Sequence, residues 1–154
     1  MIIVNKIIDI SVPLHLEMPT WPGSTGLQIN RVQSLKQGDQ ANVSNINCDI
    51  HIGTHIDAPL HFIDDGDSID QIPLRIFCGP VFIANLTQVD SIKASDLIAL
   101  SLPKGIKRLL LKTRNSHLWK KGLQKFDPTY VALTADAAEW IAEQGIGLVG
   151  IDYL

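Results

Sequence analysis

Three of the five histidines in this 154-residue chain fall within eleven residues, in the stretch D-I-H-I-G-T-H-I-D-A-P-L-H from Asp49 to His61, with Asp57 between the second and the third. Whatever fold the chain adopts must find partners for these groups, because polar side chains buried alone cost free energy. In an extended segment alternate side chains share a face. His51, Gly53, His55, Asp57 and Pro59 then point one way, and His61 is the next residue on that side. Imidazole nitrogens and a carboxylate along one line are a donor set for a divalent transition metal, zinc first, with manganese or iron next. Gly53 leaves space for a metal or another strand to approach the backbone. Pro59 removes a ladder donor, so a strand through this region ends there and hands over to a loop carrying His61. A lone histidine in a half-buried strand is ordinarily just a hydrogen-bonded residue. Three histidines and an aspartate at even spacing point instead to a metal centre.

With 45% hydrophobic and 19% charged residues, the chain reads as one domain over residues 1–154 with a real core. The net charge is −3 and there is no basic run, which argues against nucleic acid or an anionic membrane surface as partner and leaves a small molecule. The opening M-I-I-V-N-K-I-I-D-I is apolar but short and carries Lys6 and Asp9. It reads as a buried strand, Ile2–Ile10, and not as a signal peptide or a membrane span. Cys48 and Cys78 have neither metal-type nor redox-type spacing, so reduced thiols in a cytoplasmic protein are expected.

Pro13, Pro19, Pro22 and Gly23 mark a long irregular connection with Trp21 in its middle. Gln28–Gln33 alternates as a strand, Gly38-Asp39 reads as a turn, and Val43–Ile52 returns as a strand that delivers His51 and His55. Residues Phe62–Gln71, acidic around Gly66, lack the later glutamate of an EF-hand and read as a solvated loop. Beyond them, Val81–Asn85, Arg108–Lys112, Tyr130–Leu133 and Leu148–Asp152 read as buried strands. Ser95 is placed to cap a short helix through Leu100, and Thr134 a longer one through Gln144, stopped by Gly145. This rhythm predicts a mixed α/β fold with helices packed to one side of the sheet layers. His15 and His117 stand apart from the cluster and are left out of the metal set.

A metal held by His51, His55 and Asp57 keeps a coordination position open, which is the pattern of a catalytic site. A water there has its pKa lowered toward roughly 7. His61, just past the ligands, is placed to accept a proton and return it to a leaving group. Hydrolysis of an amide, formamide or lactam-like bond uses all of these parts.

The pattern H-x-G-T-H-x-D-A-P-x-H, present as His51 to His61, resembles the signature of the metal-dependent cyclase/hydrolase family that includes bacterial kynurenine formamidase. D-I-S-V-P-L, P-T-W-P-G at Pro19–Gly23 and the closing L-T-A-D-A-A-E-W-I-A-E-Q-G-I-G-L-V-G-I-D extend the resemblance along essentially the whole chain. It implies a swivelling β/β/α type of fold and an arylformamidase-like activity on a substrate such as N-formylkynurenine, in tryptophan catabolism. It also implies His51, His55 and Asp57 as metal ligands, with Asp57 able to bridge two ions. His61 would be the proton acceptor and donor, and Trp21 a wall of the substrate pocket. Members of that family continue past the G-I-D strand with a further histidine and a glutamate that complete a two-metal site, whereas this sequence runs to Leu154. Two expectations follow from that difference. One is apolar surface that a second subunit covers, in a homo-dimer or tetramer; the other is an alternative reading as a metal-binding member of the family without turnover.

Overall fold

A computed structural model describes residues 6–154, and their contacts divide the chain into two compact units. The first runs to Ile56 and takes in Gln124–Phe126 and Leu154; the second comprises Asp57–Leu123 and Asp127–Tyr153.

In the first unit, strands β1 (Gln28–Gln33) and β2 (Val43–Asn47) form an antiparallel hairpin in which Gln28 faces Asn47 and Ile29 faces Ile46. The hairpin turns where the sequence predicts, at Gly38, whose φ of 95° is left-handed backbone that a residue without a Cβ adopts at little cost. Two side chains close the connection: Asp39 Oδ2 accepts the Ser34 N–H at 2.6 Å, and Asn42 Oδ1 accepts the Leu35 N–H at 3.1 Å. Two expectations fail here. The strand over Ile2–Ile10 lies partly outside the described residues, and Lys6–Ile10 form none. Ile7 is 88% exposed, and no partner strand among the described residues offers this segment a ladder. The second failure matters more, because β2 ends at Asn47 and the histidine segment is irregular, not extended.

The second unit holds a three-stranded parallel sheet in the order β3 (Phe82–Asn85), β4 (Arg108–Lys112), β5 (Leu148–Ile151). Parallel neighbours need crossover connections, and these carry helices: α1 (Ala94–Ala99) between β3 and β4, then α2 (Asn115–Lys120) and α3 (Ala135–Glu143) between β4 and β5. Alternation decides which face is buried. Ala84, Leu109 and Leu111 share one side of the sheet and pack with Ile92, Leu97, Val131, Ala137 and Ile141 into a continuous apolar core. Removing that much hydrocarbon from water is the main stabilising term of the unit, about 25 cal/mol per Å².

Three details of this unit depart from the expected elements. Tyr130–Leu133 is not a strand, although Leu133 makes a single parallel bridge to Ile92. In place of a neighbouring strand, the buried Asn115 side chain serves Val131 on both sides. Its Oδ1 accepts the Val131 N–H at 2.8 Å and its Nδ2 donates to the Val131 carbonyl at 2.9 Å. Helix α1 is started by Lys93, whose N–H donates to Asp96 Oδ2 at 2.8 Å, and not by Ser95. Helix α2, which no local sequence pattern predicts, is anchored from another strand. Asp152, at the end of β5, accepts the Thr113 N–H at 2.9 Å and the Ser116 N–H at 3.0 Å, which gives the first turn of α2 the acceptor its own N-cap lacks. Among the described residues no helix is long and apolar enough to cross a membrane.

The loop before Val131 has a pH dependence of its own. The Thr129 hydroxyl, at 2.6 Å, and then the Thr129 N–H, at 2.8 Å, hold the Asp127 carboxyl below the usual carboxylate range. A lowered folded-state pKa contributes stability that is present above the unfolded value, about 3.9, and lost as pH falls through the folded one. Asp127→Asn is therefore expected to lose less thermal stability than the wild type between neutral pH and pH about 3, as melting curves across that range would show. Equal acid losses in the two proteins would contradict the assignment.

Candidate metal centre

The histidine segment is shaped by a turn. Gly53 has a φ of 63°, in the left-handed region, which breaks the extended geometry that would have aligned alternate side chains. A Cβ built on Gly53 would also lie 2.5 Å from Leu14 Cδ2. Leu14 is half-exposed and can move aside, so it is the left-handed φ that accounts for a glycine at this place, for a reason other than the metal approach that the spacing suggests. The neighbouring Thr54 has a structural task too, since its hydroxyl oxygen accepts the Val12 N–H at 2.8 Å and ties the segment to the N-terminal stretch.

The turn brings donors together by a different route from the predicted strand. One ligand atom each of His51, Asp57 and His61, all on this one continuous stretch, lie within 4.8 Å of one another. Two donors bound at about 2.0–2.2 Å to one ion are at most about 4.4 Å apart, so small side-chain rotations close this set onto a zinc-sized cation. His51 is half-buried, and Asp57 and His61 are exposed. The cluster is thus open to water, and the cost of burying its polarity is smaller than the sequence alone suggests.

His55 is not in that group, but its geometry suits a ligand. Its ring meets His51 edge-on with centroids 5.4 Å apart. Its Nδ1 lies 2.9 Å from the Gly53 carbonyl oxygen. A carbonyl only accepts, so Nδ1 carries the proton and Nε2 presents the lone pair, the tautomer that metal-binding histidines commonly adopt. The left-handed Gly53 thereby also provides the carbonyl that sets the tautomer of His55.

His61 sits on a tight turn, Pro59–His61, next to a stretch that the sequence predicts as a solvated loop running on to Gln71. The turn closes through the His61 N–H to the Ala58 carbonyl at 2.9 Å and the Leu60 N–H to the Asp67 carbonyl at 3.2 Å. Gly66 packs directly against the backbone of residues 59–63, and its own N–H donates to the Ile63 carbonyl at 2.8 Å. Trp21 is 49% exposed and stands edge-on to Phe126, with centroids 4.9 Å apart. A separate cleft of about 440 Å³ between α1, α3 and residues 101–106 is lined by Leu97, Lys104 and Trp140 and includes no histidine.

Comparison with known proteins matches this chain to relatives. The "Putative cyclase" family model matches residues 8–154. Cyclase-like protein 3 of Arabidopsis thaliana is 37% identical over 157 residues, covering 97% of this chain and 58% of that protein. A kynurenine formamidase of Bacillus cytotoxicus is 37% identical over 145 residues, covering 94% of this chain and 67% of the enzyme. The chain thus spans about three fifths to two thirds of the length of these relatives. A solved structure described as a potential metal-dependent hydrolase with cyclase activity superposes with a TM-score of 0.76 at 32% identity, over 95% of this chain and 67% of that one. Its likeness bears out the mixed α/β fold of the kynurenine formamidase type expected from the motifs. With a family model covering nearly all of its length and relatives more than a third identical, the chain belongs to the cyclase family.

Proposed function

We propose that this chain carries the metal centre of an amidohydrolase that cleaves a small aryl formamide, of which N-formylkynurenine is the type. The observation that carries the reading is the convergence of His51, Asp57 and His61 on a segment whose fourth polar group, His55, is fixed with Nε2 as its donor atom. The kinship with a Bacillus kynurenine formamidase supports the substrate class. Zinc is the ion we favour, with manganese as the alternative, because two or three imidazoles and one carboxylate make a borderline donor set.

His51 and His55 through ring nitrogens, and Asp57 through a carboxylate oxygen, are the residues that would hold the ion. Once bound, it supplies Lewis acidity, acidifying a water and polarising a carbonyl. His61 does the proton work. One of its ring nitrogens accepts a proton from the attacking water as the water oxygen joins the formyl carbon. The same nitrogen gives that proton to the departing amine nitrogen as the C–N bond breaks, which yields formate and an aryl amine. Trp21, with half of its surface open, offers an indole face for the aryl ring.

The test is formate release from formanilide by the purified chain supplied with zinc. The expected result is turnover abolished by a chelator and restored by added zinc. Zinc binding with no formate released would contradict the hydrolase reading.

A further inference from the structure

Phe62 lies one position past the H-x-G-T-H-x-D-A-P-x-H pattern, and its phenyl ring stands in water although its backbone is held. The side chain is 83% exposed. The Phe62 N–H donates to the Pro59 carbonyl at 3.1 Å, the Ile63 N–H donates to the same oxygen at 3.0 Å, and Gly66 packs against the turn. Leu60 and Ile63, on either side of His61 and Phe62, are exposed as well. One apolar side chain on a surface is ordinary. Three among four consecutive residues, with a site histidine between them, form a patch of the kind that marks a contact surface.

The Phe62 ring meets the His61 ring with centroids 4.2 Å apart and planes at 63°. The proton work assigned to His61 limits what comes near that pair. To receive a proton, the leaving nitrogen must approach a His61 ring nitrogen to about 3 Å. In an aryl formamide the aryl ring is bonded directly to that nitrogen, so the ring is the part of the substrate that arrives beside Phe62. Aromatic rings attract one another at centroid separations of about 4.5–7 Å. A formamide without a ring brings nothing for the phenyl to meet. Because the turn already fixes the backbone of Phe62, little ordering is left for the substrate to pay for.

We propose that Phe62 is a specificity-determining residue of the site: its exposed ring, held beside His61, contacts the aryl ring carried by the leaving nitrogen and so favours aryl over alkyl formamides. The proposal rests on the hydrolase reading above and names the residue that selects the substrate class. Phe62 and His61 then share one turn, with selection of the leaving group next to the group that protonates it.

The experiment is formate release by the zinc-supplied full chain from formanilide and from N-methylformamide, which lacks the ring, for the wild type, Phe62→Ala, Phe62→Leu and Phe62→Tyr. The quantity read is the ratio of kcat/KM for formanilide to kcat/KM for N-methylformamide. In Phe62→Ala this ratio is expected to fall by about 2- to 12-fold, the span that an aromatic pair contributes, with the loss carried by the KM for formanilide. Phe62→Tyr, which keeps a ring, is expected to restore the ratio, and Phe62→Leu is not. If Phe62→Ala does not fold, Phe62→Leu decides. An unchanged ratio would overturn the proposal. So would a fall in kcat shared equally by both substrates, since that would make Phe62 a support for the His61 ring alone. An altered oligomeric state of Phe62→Ala in sedimentation, with the ratio unchanged, would assign the ring to a contact between copies and overturn the proposal too. A wild type that releases no formate from either substrate would overturn the hydrolase reading and this proposal with it. An active wild type with an unchanged ratio in the variants would remove Phe62 alone.

Discussion

His61→Ala is expected to lower the turnover of formanilide by about 10²- to 10⁴-fold, the span that a positioned general acid–base group supplies, while the protein still binds zinc. The two halves of this expectation come from different observations. Zinc binding is expected to survive because the proposed ligands His51, His55 and Asp57 all remain, His55 with its tautomer set by the Gly53 carbonyl. His61 is exposed on its own turn, with a donor atom within 4.8 Å of those of His51 and Asp57, and its imidazole is the group proposed to move the proton. Zinc affinity and formate release measured on the same preparation separate the roles. Loss of zinc together with turnover would make His61 a ligand, and retained turnover would remove it from the chemistry.

Gly66→Ala is expected to destabilise the fold by about 1–3 kcal/mol, the usual cost of forcing a carbon into a packed site, and to weaken zinc binding although residue 66 is not a ligand. A Cβ there would lie 2.7 Å from the Pro59 carbonyl carbon, 2.8 Å from the Leu60 nitrogen and 3.0 Å from the Ile63 oxygen. All three are backbone atoms, so no side chain can rotate away and the turn itself must open. His61 sits inside that turn, between Leu60 and Ile63. Thermal melting and a zinc titration of the variant check both halves. A variant that melts and binds like the wild type would show that the packing of residues 59–66 does not set the position of His61.

Two glycines, Gly53 and Gly66, mark where the sequence stops being informative. The donor residues are legible at once, because three histidines and an aspartate within eleven residues are a ligand-type cluster that ordinary core or surface packing does not call for. The way they converge is not legible. Alternation suggests a strand carrying His51 and His55, but one left-handed residue at Gly53 cancels the period-2 geometry. Gly66 reads as a loop glycine because the atoms it packs against, the backbone of 59–63, have no side-chain signature. In the second unit β3, β4, β5 and α3 follow from short apolar runs and a helical stretch stopped by Gly145, which are strong local signals. Helix α2 and the Val131 segment depend on Asp152 and Asn115 reaching across from distant parts of the chain, which no local window contains.

The proposed function stands on this segment binding a divalent metal through residues the sequence singles out. Zinc bound per chain, measured by elemental analysis after loading and removal of excess ion, tests it most directly, with His55→Ala and Asp57→Ala beside the wild type. Zinc is expected to be retained by the wild type and lost from both variants. A wild type that retains neither zinc nor manganese, or variants that retain as much as the wild type, would contradict it.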